Sequence, residues 1–287
     1  MNILKINQPL VSSGDTLGES PLWDYRRRVF FWVDIDSGLI HSVNPLDLSN
    51  DTYEFGEKVG TIAMHENGGF LLAGESGLWL WNPEENQKSL LLAVRHEHRD
   101  NLFNDGKADP LNRFWIGTKG PKVTSKLWVL IDDKLVVKLS GLSISNGLDW
   151  SSDGKLFYHT DSMDHMIYRY DFDMETTSLS NRTEFFKPGK GTPDGLTLDN
   201  DGNIWTAIWD GWQVLQLSPT GEVLTEIKLP IQRPTSVAFG GADLRTLFIT
   251  SASEGLLDEE KEKQPHAGDL FAFQSGAAGR NANLVKT

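Results

Sequence analysis

Short apolar and aromatic segments recur along the chain, each preceded by a polar turn rich in glycine and aspartate. Their cores read FFWVDID, FLLAGES, RFWIGTK, LFYHTDS, IWTAIWD and LFITSAS, and successive copies lie 40–48 residues apart. A fixed period of this length is typical of the four-stranded blades of a β-propeller. One such unit cannot bury both of its faces alone, so the pattern predicts that six units stack around a common axis.

The hydrophobic pattern inside each unit predicts strands and almost no helix. Gly-containing turns at 67–69, 152–154 and 201–203 predict tight hairpins between the first two strands of a unit. Third strands such as 77–83 and 126–132 alternate apolar and polar residues. Only the stretch 256–264 could form a helical turn. We therefore predict an all-β fold, a six-bladed β-propeller of four-stranded antiparallel blades around a central channel.

We expect one domain that covers residues 1–287, because no linker rich in Pro, Ser or Gly interrupts the repeats. The opening strand, around residues 2–8, is expected to pair with the last unit at 269–273 and so close the ring. Closure of this kind removes exposed strand edges, which otherwise invite aggregation.

Equivalent positions of the six repeats carry polar side chains at the start of the innermost strand. In chain order these positions are Glu19, Gly60, Asn104, Asn146, Asp194 and Thr235. Equivalent residues of a propeller form a ring around one mouth of the channel, so four of the six direct carboxylate or carboxamide oxygens toward a common centre.

Such a ring has the chemistry of a cation site. Glu19 and Asp194 would repel each other and raise each other's pKa at the channel mouth, and a divalent cation would relieve the repulsion. Two carboxylates and an amide suit Ca²⁺, Mg²⁺ or Mn²⁺, and an open site of this kind also admits Zn²⁺ or Fe²⁺. Three protein ligands leave coordination positions for water or substrate, as catalytic metal sites require.

Each motif of the ring is also an ordinary turn sequence when it is taken alone. Asn-Asp-Gly, Ser-Asn-Gly and Pro-Asp-Gly commonly form turns without further function. Their recurrence in phase favours a site, because turn chemistry does not require it. Other candidates have structural explanations. His96 and His98 are expected in a solvated loop, and His159 and Asp161 form a core pair or support Asn146. Trp205, Trp209 and Trp212 are expected to pack within the blades, or one of them lies at the floor of the pocket. Lys107 and Lys119 are expected on the solvated surface, or they counter negative charge at the mouth of the channel.

Composition narrows the classes of partner and compartment. The absence of cysteine excludes disulfides and thiolate metal sites, and a net charge of −13 argues against nucleic acid or an anionic membrane as partner. No apolar stretch approaches the roughly 20 residues that span a bilayer, and the first residues have no core of signal-peptide length. We expect a cytoplasmic protein that is a monomer or a weak dimer.

Several stretches together resemble the SMP-30/gluconolactonase family, which includes regucalcin, gluconolactonase and bacterial sugar lactonases. The matching stretches include LGESPLWD at 17–24, FNDGKADP at 103–110, SNGLDWSSDGKLFYHTDS at 145–162 and PDGLTLDNDGNIWTAIWDG at 193–211. The resemblance covers essentially the whole chain. It implies a six-bladed propeller with one divalent metal held by Glu19, Asn146 and Asp194, and a substrate contact from Asn104.

Two departures from the family pattern fall on substrate recognition. Many relatives carry an Arg where this chain has Leu102, so a guanidinium contact to sugar hydroxyls is missing unless Arg99 reaches into the site. The segment KGPKVTS at 119–125 is also shorter than the acidic loop that relatives often carry. We therefore treat Asn104, Leu102 and Arg99 as the positions that determine which substrate binds.

These observations predict an enzyme: a metal-dependent lactonase that opens a sugar aldono-lactone to the aldonic acid, with Asp194 as general base. Two alternatives remain open at this point. One is a related esterase or phosphotriesterase, because the same site would polarise a phosphoryl oxygen. The other is a non-catalytic cation-binding propeller, since this architecture serves many roles.

Overall fold

The fold is a six-bladed β-propeller, as the repeat predicts. The structure, a computed structural model, describes residues 1–85 and 87–287. A first strand, β1 (Asn2–Lys5), precedes the blades. The first three blades comprise β2 (Gly18–Asp24), β3 (Val29–Asp34), β4 (Leu39–Val43) and β5 (Asn50–Glu54); β6 (Val59–Met64), β7 (Phe70–Gly74), β8 (Gly77–Asn82) and β9 (Gln87–Ala93); and β10 (Leu102–Ala108), β11 (Phe114–Lys119), β12 (Ser125–Ile131) and β13 (Lys134–Leu142).

The second half of the ring repeats this organisation with one shorter blade. The strands are β14 (Ser145–Trp150), β15 (Leu156–Asp161), β16 (Met166–Asp173) and β17 (Ser178–Phe186); β18 (Thr192–Leu198), β19 (Ile204–Trp209), β20 (Gln213–Leu217) and β21 (Val223–Lys228); and β22 (Pro234–Gly240), β23 (Thr246–Ser251) and β24 (Phe271–Gln274). The helix α1 (Asp258–Lys263) lies in the stretch where a helical turn was predicted. No helix in the part of the chain that the structure describes is long and apolar enough to cross a membrane.

The ring closes differently from the prediction. Strand β1 does not pair with 269–273; it runs parallel to β21, with Asn2 opposite Thr225, and forms a fifth, outermost strand of the fifth blade. Pairing there satisfies backbone groups that β21 would otherwise leave at an open edge. The sixth blade is closed instead by residues that follow β1 in the chain. Leu270 N–H donates to the Val11 carbonyl at 3.0 Å, and Leu10 N–H donates to the Leu270 carbonyl at 2.7 Å.

Aromatic side chains fill the spaces between neighbouring blades. Phe30 of the first blade stacks on Phe248 of the sixth with ring centroids 4.0 Å apart, and Trp115 of the third packs on Trp150 of the fourth at 5.6 Å. Side chains on both faces of the second strands are buried, so these strands read as nearly continuous apolar runs. The apolar packing between blades gives the channel a rigid frame.

Every innermost strand contains one extra residue near its start. The ladder to the second strand shifts register between Glu19 and Leu22, Val59 and Thr61, Phe103 and Gly106, Asn146 and Leu148, Pro193 and Leu196, and Pro234 and Val237. A β-bulge of this kind bends the strand and redirects side chains. The phase of the polar positions in the sequence therefore corresponds to a repeated distortion at one mouth of the channel.

The last residues of the chain cross the opposite mouth. Arg280 Nη2 donates to the Trp150 carbonyl at 2.8 Å, Asn283 Nδ2 donates to the Asp109 carbonyl at 3.0 Å, and Val285 N–H donates to the Met64 carbonyl at 2.7 Å. These carbonyls lie at or just beyond the carboxyl ends of innermost strands. A cavity of about 160 Å³ remains in the channel between this C-terminal segment and the polar ring.

Gly60 gives the second blade its close approach to the third. A Cβ atom at this position would lie 2.2 Å from the Phe103 carbonyl oxygen, which belongs to the backbone and cannot rotate away. We expect Gly60→Ala to lower the free energy of unfolding by roughly 1–3 kcal/mol, as overpacked core substitutions do. Denaturant titration measures the change. Gly189→Ala is the matched control, because its Cβ would meet no atom within 4 Å; equal stability losses in both variants would contradict the packing argument.

Candidate active site

Four polar side chains of the predicted ring converge at one mouth of the channel. Glu19, Asn104 and Asp194 are each 5% exposed and Asn146 is 6% exposed. The other two positions of the ring offer no free ligand group: Gly60 has no side chain, and the Thr235 hydroxyl donates to the Gly18 carbonyl. The four buried groups come from the first, third, fourth and fifth blades.

A chain of hydrogen bonds orients the two carboxamides. Asn104 Nδ2 donates to Asn146 Oδ1 at 2.6 Å and to the Ser145 carbonyl at 3.0 Å. Asn146 Nδ2 donates to Ser162 Oγ at 2.8 Å, and this hydroxyl donates to the Pro193 carbonyl at 2.9 Å. The chain links three blades and engages amide N–H groups of both side chains, which leaves Asn104 Oδ1 free and Asn146 Oδ1 with one lone pair still available as an acceptor.

The carboxylates of the ring have few hydrogen-bond donors. Glu19 Oε2 accepts from the Ser20 N–H at 3.0 Å, whereas Asp194 Oδ1 is buried and has no hydrogen-bond partner among the described residues. Burial raises the pKa of Glu19 to about 8, and the nearby Asp105 carboxylate adds to the rise. Burial also raises the pKa of Asp194 well above its usual value, with Glu19 and Asp105 contributing. Positive charge near the ring offsets this rise only in part, since the pKa values stay raised although Lys119 lowers both of them.

Asp105 is a third acidic group that the sequence reasoning missed. It lies in the bulge next to Asn104, accepts from the Gly106 N–H at 2.8 Å, and lines the cavity beneath the ring. Burial raises its pKa to about 6, while the Lys107 ammonium opposes the rise. An Asn-Asp-Gly sequence resembles a simple turn, but a bulge brings two consecutive residues toward the axis. That doublet is the signal that could have identified Asp105.

The donor set fits a divalent cation. Hard divalent cations bind oxygen ligands such as those here: the Asp194 oxygen that has no partner in the described part of the chain, the buried carboxylate of Glu19, and the amide oxygens. Within residues 1–85 and 87–287, no three His, Cys, Asp or Glu side chains are grouped so that they could hold a metal ion by themselves. A cation at this mouth would therefore need the carboxamide oxygen of Asn146 beside Glu19 and Asp194.

The structure separates the two positions that were expected to complete substrate recognition. Leu102 is half-buried at the start of β10, two residues before Asn104, and is the cross-strand partner of Lys119. Arg99 does not join the ring: its side chain is 91% exposed and pairs with Asp100 at 3.4 Å. Arg99 therefore does not supply the guanidinium contact that Leu102 lacks, because the loop before β10 directs its side chain into solvent.

The remaining candidates have structural roles. His96 packs edge-on against Phe103 with ring centroids 4.7 Å apart, whereas the half-buried His98 side chain lies 3.9 Å from the Asp100 carboxylate, so the two do not form a ligand pair. His159 is hydrogen-bonded to Ser145 Oγ at 2.8 Å, and burial lowers its pKa to about 3. It therefore supports the strand that carries Asn146 as a neutral group. Trp205 donates to Asp199 inside the blade, whereas Trp209 lies under the Arg233 guanidinium at 4.9 Å.

The fold and the ring define a class: six-bladed propellers with an acidic and carboxamide site at one mouth of the channel. The chain matches the family model described as SMP-30/Gluconolactonase/LRE-like region over residues 17–253. The chain therefore belongs to the SMP-30/gluconolactonase family, which confirms the resemblance noted in its sequence.

Individual relatives match along nearly their whole length. The chain is 37% identical over 276 residues to 6-deoxy-6-sulfogluconolactonase from Pseudomonas putida, with 94% of this chain and 95% of that protein covered. It is 33% identical over 283 residues to regucalcin from Xenopus laevis, with 94% of each covered. The solved structure of a luciferin-regenerating enzyme superposes with a TM-score of 0.89 at 31% identity, covering 96% of this chain and 97% of that one.

The raised pKa of Glu19 predicts how stability depends on pH without a cation. Between the unfolded value of about 4.5 and the folded value of about 8, the folded chain keeps a proton that the unfolded chain has lost. The free energy of unfolding of chelator-treated protein should therefore fall as pH rises through this window. Glu19→Gln removes one of the titrating carboxyl groups and should make the decline shallower, with Asp105 and Asp194 responsible for the rest, as thermal melts across the window would show.

The control for this experiment is Glu222→Gln, which removes an exposed carboxylate from a turn. Its melting temperatures should follow those of the wild type at every pH. Parallel curves for wild type and Glu19→Gln would show that Glu19 does not titrate in this window. Addition of Ca²⁺ should raise the melting temperature of the wild type most at the alkaline end, where the carboxylates would otherwise be unpaired.

Proposed function

We propose that the protein is a sugar lactonase that hydrolyses an aldono-lactone to the aldonic acid with the help of one divalent cation. The proposal rests mainly on the buried Oδ1 of Asp194, which has no hydrogen-bond partner among the described residues and lies beside Glu19 and the two oriented carboxamides. Membership of the family and similarity to a protein named as a sulfogluconolactonase support the reaction class. The reaction class is that of a carboxylic ester hydrolase.

Glu19, Asn146 and Asp194 are the residues that would hold the cation. When bound, a divalent cation supplies Lewis-acid polarisation of the lactone carbonyl and stabilises negative charge on its oxygen. The protein contributes the rigidity of the site: the hydrogen bond from Asn146 Nδ2 to Ser162 Oγ and the bond from the Ser20 N–H to Glu19 hold these ligand groups in place.

Asp194 is the group best placed to accept a proton from the attacking water. Its Oδ1 accepts no hydrogen bond from the described residues, so a water molecule can donate to it without another contact being broken first. Water attack on the carbonyl carbon forms the new C–O bond, and Asp194 takes the proton. The ring C–O bond then breaks, and the leaving alkoxide takes the proton back from Asp194 to become a hydroxyl group of the aldonic acid.

Asn104 has one group left for the substrate. Both of its Nδ2 hydrogens are engaged, one by Asn146 Oδ1 and one by the Ser145 carbonyl. Its Oδ1 remains as an acceptor for a sugar hydroxyl. Leu102 lies two residues earlier and is half-buried, and its side chain offers no hydrogen-bond donor. This edge of the site therefore favours lactones with fewer hydroxyl groups on the side that faces Leu102.

Asp194→Asn tests the central assignment. The substitution keeps the shape of the side chain but removes its charge and basicity, so kcat/KM for lactone opening should fall by roughly 10²–10⁴-fold, and cation affinity should fall as well. A pH-indicator assay on pentono- and hexonolactones and calorimetry with Ca²⁺, Mg²⁺, Mn²⁺ and Zn²⁺ provide the two measurements. Asp201→Asn, in an exposed hairpin turn, is the control and should leave both unchanged.

The same assay separates the proposal from its alternatives. Hydrolysis of paraoxon or aryl esters without hydrolysis of any lactone would favour a phosphotriesterase or esterase. Cation binding with no hydrolysis of any substrate would favour a binding propeller. Full lactonase activity in Asp194→Asn would refute its role as the base.

Asn104→Ala tests the division of roles between the two carboxamides. We expect it to raise KM or lower kcat/KM by about tenfold, the effect of losing one hydrogen bond of roughly 1.5 kcal/mol, while cation affinity changes little. Asn146→Ala is the matched variant and should lose the cation instead. Equal loss of cation affinity in the two variants would show that Asn104 acts mainly by holding Asn146.

A further inference from the structure

Lys119 lies between the two strands that carry the carboxamides of the ring. It is the last residue of β11 and the cross-strand partner of Leu102, two residues before Asn104. It also forms a bridge with Ile144, two residues before Asn146. The backbone of Lys119 is therefore held on both sides at the mouth that contains the site.

The alternation along β11 shows which way the Lys119 side chain leaves the strand. Trp115 packs against the fourth blade, and a Cβ added to Gly117 would lie 2.2 Å from Ser145 Oγ. Lys119 follows at the same two-residue spacing, so its side chain leaves the strand on the face toward the fourth blade, which carries Asn146. The side chain is half-exposed, as expected for a stem that rises toward the open mouth.

The ammonium of Lys119 has no partner among the residues that the structure describes, since it makes neither a hydrogen bond nor an ion pair with them. Two other lysines near this mouth are paired: Lys58 with Asp36 at 2.5 Å and Lys126 with Glu97 at 2.7 Å. The charge of Lys119 also acts on the ring, because it lowers the pKa values of Glu19 and Asp194 against the rise caused by burial. The positively charged Lys119 ammonium beside the site is therefore available to pair with an anionic group of a ligand.

The loop that follows Lys119 is fixed. Thr124 Oγ1 donates to Asn101 Oδ1 at 2.8 Å, and Asn101 Nδ2 donates back to the Thr124 carbonyl at 2.9 Å. Gly120 lies so close to this pair that an added Cβ would be 1.8 Å from Asn101 Oδ1. Asn101 itself is buried. This support holds the end of β11, so Lys119 is a positioned residue and not part of a free loop.

We propose that Lys119 is a specificity-determining residue that binds an anionic substituent of the lactone: a carboxylate, phosphate or sulfonate on the sugar. The proposal rests on the lactonase function proposed above. Next to Lys119, Leu102 offers an apolar contact, so the pair suits an anion carried on a methylene group. The acidic ring would otherwise repel such a substrate, and one charged donor outside the cation ligands compensates for that repulsion.

The test compares lactones that differ only in charge. Glucono-δ-lactone is the neutral substrate, and its 6-phospho and 6-deoxy-6-sulfo derivatives and glucarolactone are the anionic ones. Lys119→Met should lower kcat/KM for one or more of the anionic lactones roughly 10- to 100-fold more than for the neutral lactone, the range expected for a charge-assisted hydrogen bond. Lys119→Arg should restore most of the preference. Lys122→Met, an exposed lysine of the same loop, should change neither.

Binding measurements decide the proposal independently of turnover. By calorimetry, wild type should bind 6-phosphogluconate at least tenfold more tightly than gluconate, and Lys119→Met should lose the difference. Equal losses for neutral and anionic lactones in Lys119→Met would overturn the proposal, since they would place Lys119 at the reaction centre. No preference for any anionic ligand in wild type would overturn it as well. If wild type opens no lactone at all, the proposed function fails, and the binding comparison alone decides the role of Lys119.

Discussion

The site depends on one constraint, which is that six innermost strands must surround a single axis and each carries one extra residue at the same level. A bulge in a single strand would redirect one or two side chains at one edge of a sheet. Six bulges at the same level direct the side chains at these positions toward the narrow mouth of the channel, where the side chains lie close to one another. Residues that are far apart in the chain, such as Glu19 and Asp194, become electrostatic neighbours for this reason.

The same convergence creates the chemical character of the site. Folding buries Glu19 and Asp194, half-buries Asp105 and supplies few hydrogen bonds in return, so the pKa of each carboxyl group rises. The side-chain amides of Asn104 and Asn146 differ from the carboxyl groups, because their N–H donors are hydrogen-bonded. The acceptors are the Ser145 carbonyl, Ser162 Oγ and Asn146 Oδ1. A rigid apolar frame between the blades prevents the ring from relaxing. The fold therefore holds carboxylate oxygens with few hydrogen-bond donors next to amides whose N–H groups are bonded. This arrangement favours the binding of a cation.

The fold was largely predictable from the sequence, because each blade needs the same turns and the same apolar strands. The period located the six innermost strands, and phase alone selected Glu19, Asn104, Asn146 and Asp194. Local patterns could not show the bulges, so Asp105 was taken as part of a turn, and they could not decide whether Lys119 lies on the surface or at the channel mouth. The pairing of β1 was also mispredicted, because the choice between two outer edges depends on geometry across the ring. Arg99 lies in a loop, and the sequence pattern of a loop does not predict the direction in which a side chain points.

The link between Val11 and Leu270 has a consequence for how the chain folds. Contacts across this seam, such as Ser13 with Gly268, join residues 255 positions apart, and they can form only after most of the ring is in place. Loop closure over such a distance costs entropy before any contact compensates for it, so the seam should be among the last parts to assemble. Until it does, the first and sixth blades expose edges and aromatic faces, including the Phe30–Phe248 stack. The interval before closure is thus the stage at which the chain is most exposed to aggregation.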